Sequence, residues 1–537
     1  MQQHDFDYIV IGSGFGGSVS AHRLTEKGYR VGVLEMGKRY TQDDFPETNW
    51  HLKKFLWGPA LGLHGFFRMS LFRHAWVLSG VGVGGGSLVY ACTSLVPPDT
   101  VWDQPSWSGL NDWRKTMPAH YAEASRMLGV TSNPYLGPGD KLLREAADAQ
   151  GFGDTFYPTR VAVYFGPNGE TVPDPFFGGE GPARTGCTYC GGCMVGCRFG
   201  AKNTLDKNYL YFAEKAGARV IPETKVVDVV PLNGRADGAD GYAIHTVSST
   251  RRLSRARQVY TARGVVFSAG VLGTVNLLLQ ARSSGSLPRL SDRVGHFVRT
   301  NSESILGVKL DDKTIDVSEG IAIGSGIYID DHTHIEAVRY SKGSDALGAT
   351  ATILAQGRPW PGRILSWLGV LLQHPVRSLK MLNPKGFAQS SVILLVMQTL
   401  DAHLQMRRRR SWLPPFGMKL TTQGERVPTN IPQANAFAEQ MARQVGGTPM
   451  TALTEILFDV PTTAHILGGA VMGATPATGV VDARNRVFNY RNLYVCDGSM
   501  IAANLGVNPS LTITALTEQA MAGIPNAAEV EPAVMER

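Results

Sequence analysis

Several things are scarce in this chain of 537 residues, and each scarcity excludes something. There is no run of about 18 consecutive apolar residues, so a transmembrane helix is not expected. The chain enters an apolar segment within about six residues, without a charged-then-apolar leader, so a secretory signal is not expected either. Cysteine is sparse, six in all, which argues against a disulfide-stapled scaffold and for a reducing cytoplasm where thiols serve chemistry or metals. Charged residues make up only 18% against 43% hydrophobic, a balance that excludes disorder. No internal repeat or low-complexity linker interrupts the chain. The net charge of +7 favours anionic partners mildly, but the basic residues follow no recognised nucleic-acid fold, so nucleic acid is not an expected partner. The length exceeds one ordinary core, which implies two intimately joined domains.

What is present begins at Phe6. Tyr8 to Gly12 read as a buried strand, Gly12-Ser13-Gly14-Phe15-Gly16-Gly17 as a tight turn into a helix closed by Gly28, and Val31 to Leu34 as a second strand ending at Glu35. Gly12 allows the turn, Gly14 admits a pyrophosphate to the backbone, and Gly17 lets helix and strand pack closely. The helix N-terminus offers free N–H groups and a positive dipole end to the phosphates. Glu35 follows Gly17 by 18 residues, where an acid can bind ribose hydroxyls. Strand, turn, helix, strand and acid together predict an ADP-containing dinucleotide; this unit alone leaves FAD and NAD open.

Further on lies Gly80-Val81-Gly82-Val83-Gly84-Gly85-Gly86-Ser87, the backbone permissiveness needed where main chain passes a large flat ligand. SAGVLGT (Ser268 to Thr274) follows a buried strand, and CDGSMIAANLGVNPSLTITAL spans Cys496 to Leu516. These three segments resemble the GMC (glucose–methanol–choline) family of FAD oxidoreductases, and most of all its bacterial, cholesterol-oxidase-like branch. The resemblance implies that Gly82, Gly84, Gly85, Gly86 and Ser87 wrap the flavin and its pyrophosphate, that Asp497 binds the flavin side chain, and that Val226 contacts adenine. An Asn commonly closes the first of these motifs; here the residue is Tyr90. The fold class expected is α/β: a discontinuous Rossmann-type FAD-binding domain over 1–100, 187–300 and 455–537, with an α+β substrate domain over 101–186 and 301–454 built on an antiparallel sheet.

Alcohol oxidation needs a base for the hydroxyl proton while a hydride leaves for flavin N5, and histidine suits that task near neutral pH. One of the thirteen histidines, His465 in TAHILGGAVMG, resembles the family's catalytic histidine. Asn508 in GVNP resembles its polar partner and can hydrogen-bond the substrate oxygen; Asn504 is a nearby alternative. Glu336 in HTHIEAVRY aligns loosely with a glutamate that, in cholesterol-oxidase-like enzymes, shuttles a proton and turns a Δ5 into a Δ4 ketone. A carboxylate with that task is expected to be buried and its pKa raised. The competing readings are an edge-strand Glu336 paired with Arg339, and Glu303 as the acting carboxylate.

Cys187-x2-Cys190-x2-Cys193-x3-Cys197 has the spacing of a bacterial ferredoxin run, although Arg198 stands where a proline usually follows. It predicts an iron–sulfur cluster, [4Fe-4S] or, on three thiolates, [3Fe-4S], at the domain junction (187–197); tetrahedral zinc is the rival. A cluster there offers electrons a path from flavin to an external acceptor in place of oxygen. The basic apolar stretches 51–77 and 359–384, with Arg407 to Arg410, fit either buried cavity walls or a peripheral contact with the inner face of an anionic membrane. Both fit a lipophilic, steroid-like substrate. The expectation is therefore a cytoplasmic flavoenzyme oxidising a steroid secondary alcohol, against two rivals: a steroid ketone isomerase on the same scaffold, and a non-catalytic flavin or iron–sulfur electron carrier.

Overall fold

The computed structural model describes residues 4–251, 256–355, 359–411 and 417–529. Two seven-stranded sheets organise it. In the first, Arg219–Ile221, Val31–Leu34, Phe6–Ile11, Arg257–Phe267 and Leu493–Val495 run parallel, and Tyr242–Ser248 and Thr224–Pro231 extend it antiparallel. Val31–Leu34 is buried along its whole length, which is why it reads as an unbroken apolar run: parallel strands are covered on both faces. The helix Ser510–Ala522 packs on both Phe15–Glu26 and Trp113–Leu128, and Phe15–Glu26 lies against the strands Phe6–Ile11 and Val31–Leu34. The α/β expectation holds.

The second sheet is antiparallel, in the order Ala351–Ile353, Gly447–Ala452, Ser304–Leu310, Ser391–Gln398, Thr333–Val338, Ile323–Asp330, Tyr157–Pro158. Alternation along Ser391–Gln398 shows its two faces. Val392, Leu394 and Val396 enter a core closed by the helices Pro138–Ala149 and Pro432–Gln444. Ile393 and Leu395 point the other way, into a cluster with Phe55, Phe66, Phe67 and Phe387. Glu336 sits directly opposite Leu395, and directly opposed residues share a face, so its carboxyl lies on that second face. Arg339 lies on the first, where it pairs with Asp140 at 2.7 Å. The expected Glu336–Arg339 pair is thus ruled out by strand parity.

Other expectations shift in detail. Beyond the cysteine run come a 3-10 turn, Leu205–Lys207, and a helix, Tyr209–Lys215. The stretch 359–384 forms two helices, Gly362–Gln373 and Pro375–Leu382. They are not buried walls: Leu365, Leu368, Leu372, Val376, Leu379 and Leu382 are exposed.

Candidate active site

The glycine turn after Phe6–Ile11 separates two needs. A Cβ at Gly12 would come within 2.3 Å of the Ser268 carbonyl oxygen, and one at Gly17 within 2.0 Å of the Gly12 oxygen, so these positions are bare for packing. At Gly14 a Cβ would meet nothing within 4 Å. That open backbone, at the start of the helix Phe15–Glu26, fits a pyrophosphate. Gly82 to Ser87 lie over the same turn. The Gly84 amide donates to Ser13 Oγ at 3.1 Å, Ser13 Oγ reaches the Gly82 oxygen at 3.3 Å, and a Cβ at Gly85 would strike the Gly14 Cα at 2.6 Å. Gly86 is the next residue of this turn, packed beside Phe15. Ser87 is buried and tied up internally, donating to the Gly84 oxygen at 2.7 Å and accepting from the Leu205 amide at 3.1 Å. Tyr90 presents its ring edge to Phe15 and donates its hydroxyl to the Asn203 carbonyl at 2.7 Å.

Glu35 is buried at the end of the second strand. It accepts from the Ser13 amide and hydroxyl at 3.1 and 2.7 Å and from the Gly37 amide at 2.7 Å. Burial pushes its pKa up against the pull of those bonds. Thr224 donates its amide to the Glu35 carbonyl at 2.8 Å, which brings Val226, buried two residues along the same strand, to this end of the turn. Asp497, also buried, joins the two remaining motifs: it accepts from the Ser499 amide at 2.8 Å and from Thr274 Oγ1 at 2.5 Å. These groups, around a cradle left bare at Gly14, fit the adenine dinucleotide that the motifs imply.

Beyond the cradle, two carboxylate couples meet. His465 Nδ1 is hydrogen-bonded to Glu303, whose other oxygen accepts from the Ala464 amide at 2.9 Å. Burial disfavours the charged imidazole, yet the Glu303 carboxylate outweighs it and raises the His465 pKa. Asn508 donates through Nδ2 to one Glu336 oxygen at 3.1 Å. The other Glu336 oxygen and Asn508 Oδ1 are buried without a partner, which is the condition of a site that awaits a polar ligand. Burial lifts the Glu336 pKa to about 7; Asn508 and His465 pull it down, and Glu303 pushes it further up. His465 and Glu336 therefore perturb each other across one site.

Asn504 does not join them. Its amide donates to the Leu400 and Ala402 carbonyls at 2.5 and 3.1 Å, holding the loop. Asn301 was not singled out from the sequence, and it fixes the site: it donates to the Val507 carbonyl at 3.0 Å and accepts from the Gly506 amide at 3.0 Å, setting Asn508 in place. Positive φ at consecutive residues, 58° at Asn301 and 47° at Ser302, turns the chain so that Glu303 faces inward. The TNS run before Glu303 was the one sequence signal for that bend.

An apolar slot of about 180 Å³ lies over the same sheet face. Phe55, Phe67, Trp76, Leu347, Ile393 and Met450 line it. It also reaches Ile305 and Thr462, two residues from Glu303 and three from His465. The second exposed helix, Pro375–Leu382, packs on Ala346–Thr350 and Ala351–Ile353, which wall the slot.

The cysteine run departs from expectation. Among the described residues no three His, Cys, Asp or Glu side chains are grouped to hold a metal ion. Tyr189 to Gly191 are pinned against Gly320, with Gly191 N–H donating to the Gly320 oxygen at 2.7 Å and Gly320 N–H to the Tyr189 oxygen at 2.8 Å. With φ positive at Tyr189 (55°) and Gly191 (68°), the loop turns on both sides of Cys190 and is pinned there to Gly320. Cys190 is exposed, Cys187 is buried against Val161 and Val163, and Cys193 turns to Cys92 from outside the run. Cys197, half-buried, packs at the edge of that cluster. The iron–sulfur and zinc expectations at Cys187, Cys190, Cys193 and Cys197 find no ligand set here. No described helix is long and apolar enough to cross a membrane.

Comparison with known proteins agrees with the cradle. Models of the GMC oxidoreductase family match residues 183–296 and 419–517, and a model of the NAD(P)-binding Rossmann-like domain matches residues 10–41. A cholesterol oxidase from Acinetobacter baumannii is 56% identical over 98% of this chain and 95% of its own length. One from Mycobacterium tuberculosis is 47% identical over 98% of this chain and 92% of its own. The crystal structure of a pyridoxine 4-oxidase superposes with a TM-score of 0.60 at 15% identity, covering 96% of this chain and 98% of that one. A fungal aryl-alcohol oxidase does so at 0.59 and 16%, covering 97% and 98%; these two likenesses concern the fold.

Proposed function

The chain belongs to the GMC oxidoreductase family, in its cholesterol oxidase branch, and from that premise we propose that it oxidises the 3-hydroxyl of a sterol to a ketone, with oxygen as electron acceptor, and then moves the double bond from Δ5 to Δ4. The observation that carries this reading is the meeting of His465–Glu303 and Asn508–Glu336, with an apolar slot over the same sheet face that reaches Ile305 and Thr462. As a flavin-dependent enzyme the chain is set apart from the carrier-only alternative. FAD, when bound along Gly12 to Gly17 and held by Glu35, Val226, Gly82 to Ser87 and Asp497, supplies the hydride acceptor.

The protein's own part is proton handling and positioning. Glu303 holds Nδ1 of His465, which leaves Nε2 as the base for the hydroxyl proton and stabilises the imidazolium that results. Asn508 presents its unpartnered Oδ1 and its amide beside the reacting oxygen. Glu336, poised near neutral pH with one bare oxygen, can take a proton from one ring carbon and return it to another; a carboxyl fixed as an ion could not do both. Electron exit through an iron–sulfur cluster has no support in the placement of the cysteines, and oxygen is the simpler acceptor.

The slot's mouth suggests how the substrate arrives. Exposed leucines on Gly362–Gln373 and Pro375–Leu382 stand beside exposed Arg377 and Lys380, and Leu52 at the slot is followed by exposed Lys53 and Lys54. Apolar side chains fringed by cations suit an anionic, cytoplasm-facing lipid surface. Flotation with phosphatidylserine vesicles, lost on Leu372→Glu with Leu379→Glu, is the result expected; equal binding of the variant would remove the membrane from the reading. For the reaction itself, anaerobic mixing with a 3-hydroxysteroid should bleach the flavin. Enone formation from a Δ5-3-ketone without any bleaching by the alcohol would leave an isomerase only, and full flavin reduction by His465→Ala would end its role as the base.

A further inference from the structure

Lys202 is a cation in the wrong place for an ordinary salt bridge. Only 1% of its surface is exposed. Its ammonium donates to the carbonyls of Leu88 at 3.0 Å and Cys193 at 2.8 Å and lies 4.8 Å from the centre of the Tyr90 ring. Burial lowers its pKa, and the groups that pull it back up are the thiols of Cys92, Cys193 and Cys197 rather than carboxylates. A buried ammonium without an anion is costly, and a thiolate is the anion within reach. Cys92 is fully buried, held at φ 72°, and joins a packed cluster with Cys187, Cys193 and Cys197. Cys193 packs against that cluster, and the neighbouring Cys92 thiol and Lys202 lower its pKa to about 6 while burial raises that of Cys92. One sulfur is thus a nucleophile and its neighbour a protonated thiol, the division of labour of an attacking and a resolving cysteine.

We propose that Cys193 and Cys92 form a peroxide-responsive thiol pair that fastens the flavin loop. The Cys193 thiolate attacks one oxygen of hydrogen peroxide; an S–O bond forms, the O–O bond breaks, and hydroxide leaves. Cys92 then attacks the sulfenic sulfur; the S–S bond forms, the S–O bond breaks, and water leaves with the Cys92 proton. Two thiol electron pairs become one disulfide and one bond's worth of electrons reduces the peroxide, so the step needs no further reagent. The peroxide is the product of oxygen reduction under the oxidase reading, on which the physiological setting rests, though the chemistry itself does not. Cys92 lies four residues beyond Leu88, on the strand of chain that leaves Gly82 to Ser87. The disulfide therefore ties the segment that covers the dinucleotide turn to the loop of residues 187–202.

The test uses the FAD-loaded protein and added hydrogen peroxide, so it does not depend on turnover. Non-reducing peptide mapping should find a Cys92–Cys193 linkage that dithiothreitol reverses, with FAD release slowed several-fold in the oxidised form. In Cys92→Ser, dimedone should capture a sulfenic acid at Cys193, and adding Lys202→Met should slow that capture at least tenfold. A linkage to Cys187, Cys190 or Cys197 instead, or no linkage in the wild-type protein at millimolar peroxide, would overturn the pair. So would one equivalent of bound iron cluster or zinc with all the run's thiols protected from alkylation. Failure of sterol to bleach the flavin, with the linkage present, would count against the oxidase reading alone.

Discussion

Glu303 and Glu336 are both fully buried, both near His465, and built for opposite ends. Glu303 faces an imidazole and a backbone amide and has a donor for each oxygen. Glu336 faces a neutral side-chain amide and keeps one oxygen bare. A carboxyl opposite a group that can become cationic serves as a fixed counter-charge; one opposite an amide in apolar surroundings becomes a proton carrier. The partner, more than depth of burial, decides which.

The comparison can be broken most severely at Glu303. Glu303→Gln should slow flavin reduction by a hydroxysteroid on the order of 10³-fold, with KM little changed and the pH profile of kcat/KM displaced. A change in KM alone would mean Glu303 only shapes the pocket. Glu336→Gln should leave oxidation within about threefold and stop double-bond migration, so that the unconjugated ketone accumulates; a matched loss of both steps would erase the distinction between the two acids. The wild-type isomerisation rate should rise with pH through about 7, since Glu336 must be deprotonated to accept. The same raised pKa has a cost in stability. Between its unfolded value near 4.5 and about 7, the folded form holds a proton that the unfolded form has released, so stability falls as pH rises across that window. Thermal melts should therefore show Glu336→Gln stabilised by a few degrees at pH 8 and little changed at pH 4; a gain equal at both values would point to packing. The smallest effect is expected at Asn504→Ser, which loosens the loop that carries Asn508: a few-fold loss in kcat, checked by unchanged flavin content.

Much of this was legible in the chain. The cradle from Gly12 to Glu35 is local, written in glycines and apolar runs whose meaning depends on near neighbours. Glu336 was legible as a type but not as a placement: whether it met Arg339 or the slot turned on parity in a sheet whose strands come from distant parts of the sequence. Glu303 could be named as a carboxylate but not as the partner of His465, because 162 residues separate them and two left-handed residues before it decide its direction. The cysteine run misled for a related reason. Its spacing describes ligands for a loop that wraps a cluster, and whether the thiols converge depends on tertiary partners such as Gly320 that the spacing does not contain. The exposure of the helices at 362–382 was equally hidden, since an apolar helix reads the same whether it faces a core or a surface.

The strand Thr333–Val338 also works as a ruler along the sheet face that carries the acid. Alternate residues mark off about 6.6 Å, and His334, Glu336 and Val338 are its successive graduations on the slot face, opposite Met397, Leu395 and Ile393. Moving the acid by one graduation, with Glu336→Leu and Val338→Glu together, would carry the proton-transfer point about a ring's breadth along a bound polycycle, keeping the His465–Glu303 couple while releasing the Asn508 amide from its carboxylate. The position of the migrating double bond would then be set by counting residues in twos.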